Sequence, residues 1–135
     1  MKSIEKTEQA AGLSMKFAFL SLCLLWLAFP NTAETYTIKH GNVSGQTWPA
    51  DTYLITSGLL VDGHTTLTIE AGAVVKFQHD LKIMVYGTLA ANGTAANNVV
   101  FTSMDDDAYG ETIPESDGSP EPGDWLGIIL QGPYG

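Results

Sequence analysis

The chain has 135 residues, six lysines, no arginine and fifteen carboxylates, with a formal net charge of −9. That length holds one domain, and a surface of that sign repels phosphate backbones, which excludes nucleic acid and anionic membrane surfaces as partners. The one cysteine, Cys23, excludes an intrachain disulfide framework.

Residues 17–29 form an uncharged apolar run, preceded by Lys16 and a second candidate start at Met15, and followed by Pro30 and small or polar residues up to Ala33. This is the layout of a secretory signal. Crossing a membrane takes roughly 20 apolar residues, so the run is too short for a span. Residues 1–33 are therefore expected to be a helical signal peptide and residues 34–135 the exported chain, secreted or held at the cell surface. Cys23 falls in the leader, so the exported chain has neither disulfides nor thiolate ligands. From Glu34 onward, three lysines stand against thirteen carboxylates.

After Tyr36, apolar residues follow no helical spacing and alternate with period two in short bursts. Leu67 and Ile69 alternate with Thr66, Thr68 and Glu70; Val75 and Phe77 with Val74, Lys76 and Gln78; Ile83 and Val85 with Lys82, Met84 and Tyr86. These are strands with one face in and one face out. Asp62-Gly63, Ala71-Gly72, Tyr86-Gly87 and Asn92-Gly93 punctuate them, and glycine marks where the chain turns a corner. Asp-Gly and Asn-Gly also suit antiparallel hairpins.

The order of strands and corners repeats. Gly58, Leu60 and Gly63 precede Val75 and Phe77, as Gly87, Leu89 and Gly93 precede Val99 and Phe101. A repeat of this length is the mark of a solenoid, and parallel stacking of coils explains it better than hairpins do. Leu67, Ile69, Ala73, Val75, Phe77, Ile83, Val85, Leu89, Ala91, Val99 and Phe101 are expected to point inward and stack in columns between coils. A last burst, with Leu126, Ile128 and Leu130 on one parity, comes just before Gly135. The expected fold is all-β, a parallel β-helix solenoid of about three coils, truncated, because an apolar end strand needs a cap.

Residues 41–130 resemble the amino-terminal part of the right-handed parallel β-helix regions of many secreted bacterial proteins, the pectate-lyase-like solenoids. The most specific stretches are TLTIEAGAVVKF (66–77), GTLAANGT (87–94) followed by VVFTS (99–103), and PGDWLGI (122–128). Ala71 stands where the family usually has proline, and the insert after Met104 is more acidic than the family's version. The resemblance implies a right-handed parallel β-helix and an extracellular location. It implies no single activity, because such regions occur in adhesins, autotransporter passengers and polysaccharide lyases.

The loop at 104–124 carries Asp105, Asp106, Asp107, Glu111, Glu115, Asp117, Glu121 and Asp124. It reads either as a solvated loop at the solenoid's edge or as a calcium site, since calcium takes six to eight oxygen ligands from flexible loops. The spacing departs from an EF-hand, with Tyr109 at the third ligand position and Ser116 at the bidentate one. Pro114, Pro120 and Pro122 favour an extended excursion.

The lyases that the resemblance brings in need carboxylate-held calcium and a basic side chain, often arginine. Only Lys76 and Lys82 could serve here, and both are expected to be ordinary outward residues of strands. No catalytic residue and no cofactor are assigned. His40, His64 and His79 lack metal-ligand spacing and are expected at surface corners. Trp48, Tyr53 and Trp125 could form a platform for a sugar ring, or cap an end or cover a seam. An ice-binding threonine ladder is not expected, because Lys82, Met84 and Tyr86 take the outward positions after Thr65, Thr66 and Thr68. Asn42-Val-Ser44 and Asn92-Gly-Thr94 match glycosylation acceptors, relevant in a eukaryotic secretory route. The functional expectation is a secreted structural or binding module for surface glycans or proteins. The alternative is the amino-terminal fragment of a polysaccharide lyase or other carbohydrate-active enzyme.

Overall fold

The computed structural model describes residues 35–132, which contain nine strands and no helix. The expected signal peptide lies outside them. Among the described residues no helix is long and apolar enough to cross a membrane. The strands are β1 (Tyr36–Asn42), β2 (Thr47–Trp48), β3 (Thr52–Val61), β4 (Thr66–Glu70), β5 (Val74–Phe77), β6 (Lys82–Val85), β7 (Thr88–Asn92), β8 (Val100–Ser103) and β9 (Gly127–Leu130).

Every strand pair is parallel, so the hairpin alternative is excluded and the chain is a parallel β-helix with three faces. The first face stacks the start of β1, residues 52–55 of β3, β5 and β8. The second stacks the end of β1, residues 59–61 of β3, β6 and β9. The third stacks β2, β4 and β7. The corner between the first two faces widens up the stack. β1 rounds it with a bulge between Lys39 and Gly41, and β3 passes it unbroken. Residues 78–81 separate β5 from β6, and residues 104–126 separate β8 from β9.

Alternation puts one side of each strand inside. Tyr53, Val75 and Phe101 form one interior column, Leu59, Ile83 and Ile128 another, and Trp48, Ile69 and Ala91 a third. Leu67, Ile69, Ala73, Val75, Phe77, Ile83 and Val85 are fully buried. Leu89, Val99 and Phe101 hold the inward register but are only partly covered, and Ala91 is exposed. Leu89 and Ala91 belong to the last described rung of the third face and Phe101 to that of the first, with Val99 just before it, so no further described rung covers them. Leu130 is 72% exposed for the same reason.

Gly87 turns the corner from the second face to the third directly above the Asp62–Thr65 turn. A Cβ there would collide with the carbonyl oxygens of Asp62 and Thr65, so only glycine lets the two coils close.

The register corrects two sequence expectations. Leu60 pairs with Met84, not with Leu89, because Leu89 belongs to the third face and sits above Leu67. Thr66 pairs with Thr88, and Thr47 with Thr68. Lys82 and Met84, which follow these threonines in the sequence repeat, lie on the second face. The third face thus presents a short hydroxyl-bearing surface, broken at Ala90, which follows Thr68 in register.

Candidate functional site

The acidic insert is exposed along most of its length but does not stand free of the solenoid. It folds back over the outside of the first face and packs there through Ile113, which is 1% exposed and joins Leu54 and Met104, with Tyr36 against them. Backbone contacts fix the approach. The Glu111 amide donates to Thr52 Oγ1 at 3.0 Å, and Gly110, at φ +64, lies too close to Thr52 and Val74 for any side chain.

Lys76 is the centre of this contact. Sequence alternation sends it outward from β5, as expected, but the insert covers it completely. Its Nζ donates to the carbonyl oxygens of Asp106 at 2.8 Å and Glu111 at 2.6 Å. Burial pushes the ammonium pKa below its ordinary value, and the nearby Asp107, Asp106 and Glu111 carboxylates pull the other way. Lys76 is therefore not the free outward lysine expected from sequence, and it is committed to holding the insert. Lys82 is exposed on the second face, as expected.

The carboxylates of the insert are largely used to shape it. Asp106 accepts from Thr102 Oγ1 at 2.6 Å and from the Ala108 amide at 3.1 Å. Asp107 accepts from Ser116 Oγ, Asp117 from the Ser119 amide and Asp124 from the Glu121 amide. Such short-range bonds are how aspartate closes turns. The candidate calcium residues Asp105, Asp106, Asp107, Glu111, Asp117 and Asp124 do not converge as a set.

Two of them do meet, together with a histidine. His79, in the turn after β5, places Nε2 2.6 Å from Asp105 Oδ2 at the start of the insert. Asp124 closes the insert, and one ligand atom from each of His79, Asp105 and Asp124 lies within 4.8 Å of the others. The backbone ties the same corner together: the Asp80 amide donates to the Asp124 carbonyl oxygen at 2.7 Å and the Leu126 amide to that of Leu81 at 2.7 Å. The His79 side chain is 57% exposed while that of Asp105 is 4% exposed.

The hydrogen bond to Asp105 raises the His79 pKa above its ordinary value, against a smaller desolvation effect, and the charges of Asp105, Asp124 and Asp80 add to the rise. The Asp124 carboxyl is held below its ordinary value by the Glu121 amide first, then by the Ser103 hydroxyl. His40 and His64 are exposed and stand outside this cluster, so the surface expectation holds for them. For His79 it misses the partner. A signal for that pair existed: His79 and Asp105 are 26 residues apart, the same offset as Val75 and Phe101 in the ladder below them.

The aromatic residues do not form a sugar platform. Trp48 and Tyr53 are 1% and 3% exposed and stack on one another inside the lower end, centroids 4.8 Å apart, with Lys39 Nζ 5.2 Å from the Trp48 ring centre. Trp125 stacks on the buried Phe77 at 4.4 Å with the planes 7° apart. Residues that cap and seal the interior are what the structure contains. Of the glycosylation acceptors, Asn42 bonds through its side chain to Asp62 Oδ2 at 2.6 Å, and Asn92 is exposed at the end of β7.

No curated protein and no solved structure matches the chain. The family model described as a pectate-lyase like beta helix domain matches residues 41–133, more than half of the sequence and nearly all of the stacked strands. The chain belongs to the pectate-lyase like beta helix domain family.

Proposed function

We infer that this β-helix is an exported, non-catalytic binding module whose acidic insert serves as a preformed plate for a partner surface. The observation that carries this reading is the buried Lys76, which fastens the insert to the first face through the Asp106 and Glu111 carbonyl oxygens. A loop held in this way loses little conformational entropy on binding. It turns the exposed Asp107, Glu111, Glu115, Asp117 and Glu121 toward solvent. Opposite charge would recognise such a plate, so the partner is a protein surface rich in lysine and arginine. Glycan recognition through stacked rings lacks support, because the Trp48 and Tyr53 rings are buried.

The second reading, a fragment of a polysaccharide lyase, draws on the family description alone. It would need a free base, and of the two lysine candidates only Lys82 is exposed.

One experiment separates these readings. The purified chain is mixed with polygalacturonate and calcium while ultraviolet absorbance of an unsaturated product is followed, and in parallel with a lysine-rich peptide whose binding is followed by fluorescence anisotropy. Binding that weakens with added salt, without turnover, is the expected result. Turnover that disappears in Lys82→Ala would establish the lyase reading and overturn the binding module.

A further inference from the structure

The corner between the first and second faces gathers a donor set drawn from three separate segments. His79 comes from the turn after β5, Asp105 from the first residues of the insert and Asp124 from its last. Among the described residues no other group of three His, Cys, Asp or Glu side chains meets at this spacing.

The charge at this corner is out of balance. Asp105 is 3% exposed, and a carboxylate so covered is stable only when paired or bound to a metal. Lys76 is taken up by carbonyl oxygens on the outer side of the first face. That leaves one imidazole facing Asp105, Asp124 and Asp80, so the corner keeps excess negative charge even when His79 is protonated.

We propose that His79 Nε2, a carboxylate oxygen of Asp105 and a carboxylate oxygen of Asp124 bind one divalent transition-metal ion of the zinc class, with a further position open to water. The donor types select the ion. One imidazole with two carboxylates suits zinc, cobalt or manganese, whereas calcium takes six to eight oxygens. Three protein ligands plus an open position is the arrangement of accessible zinc sites.

The distances allow it. Ligand atoms at about 2.0–2.2 Å around zinc stand about 3.4 Å apart. The present separations run from 2.6 Å for His79 to Asp105 up to no more than 4.8 Å. The ion replaces the proton shared by His79 and Asp105, and the half-exposed His79 ring can swing outward to admit it. Asp105 is oriented from behind, because its Oδ1 accepts the Asp117 amide at 3.1 Å, the kind of outer partner that holds a ligand in place. A bound ion would lock both ends of the insert to the coil beneath.

The test uses the chain purified without a polyhistidine tag, titrated separately with Zn2+, Co2+ and Ca2+ in a calorimeter. Zinc and cobalt are expected to bind at one ion per chain, and calcium is expected to leave this site empty. His79→Gln and Asp124→Asn, both at solvent-accessible positions, should each weaken zinc at least tenfold, while His64→Gln leaves the affinity unchanged. Independently of any variant, Zn2+ should shift the His79 ring signals in the NMR spectrum and not those of His40 or His64. Loss of saturable zinc binding, equal affinity in His79→Gln, or an unmoved His79 signal would each overturn the assignment.

Discussion

Lys76 Nζ lies 2.6 Å from the carbonyl oxygen of Glu111, 35 residues further along the chain. A lysine on the outer side of a β-helix strand is thereby buried by an acidic loop instead of meeting water. The bond is charge-assisted and joins the solenoid to the one long excursion among its described corners.

Replacing Lys76 by methionine keeps most of the side-chain volume but removes both donors. Hydrogen bonds to charged groups contribute about 1.5–3 kcal/mol each, and buried acceptors left unpaired cost further. Lys76→Met should lower stability by about 2–4 kcal/mol, read from urea unfolding. Residues 105–124 should also become sensitive to protease while the β-sheet circular dichroism is retained.

Ile113 makes the apolar half of the same contact. Truncating a buried isoleucine costs about 2–5 kcal/mol. Ile113→Ala should therefore loosen the insert and expose Leu54 and Met104, which a rise in binding of a hydrophobic dye would report.

Gly87 tests the stacking of coils. Its Cβ would run into two backbone carbonyls that have no freedom to retreat, so Gly87→Ala should prevent the second and third faces from joining. The expected outcome is loss of cooperative thermal unfolding. Gly63, with open space around it, should accept alanine with only a small fall in melting temperature.

In the presence of chelator, the corner should make stability depend on pH in a defined sense. The His79 pKa is raised above 6.5 in the fold, so its contribution is fully present below that value and disappears as pH climbs through the raised pKa. The Asp124 pKa is lowered from 3.8, so its contribution is present above 3.8 and disappears as pH falls through the lowered value. The melting temperature should therefore be highest between these limits, and the alkaline decline should shrink in His79→Gln.

The interior of the fold was legible because alternation is a local signal. Leu67, Ile69, Val75, Phe77, Ile83 and Val85 each sit between polar or outward neighbours, and all are buried. Register is harder to read, since apolar alternation looks alike on all three faces, and the sequence repeat aligns Leu60 with Leu89 although its ladder partner is Met84. The docking of the insert leaves no local mark in the sequence, because its partners are far away along the chain. A lysine between two core residues looks outward, and nothing nearby indicates that carbonyls 30 and 35 residues later will cover it. The rings of Trp48 and Tyr53 were ambiguous for a related reason, since an aromatic residue near a glycine corner suits either a binding surface or an interior seal.

The most direct test of the docked insert is amide hydrogen exchange at Glu111 and Asp117, resolved by NMR. Their amides are bonded to Thr52 Oγ1 and Asp105 Oδ1, so both should exchange far more slowly than free-loop rates in the wild-type chain, and the Glu111 amide should lose that protection in Lys76→Met. Exchange of both amides at free-loop rates in the wild type would contradict the docked insert and the plate built on it.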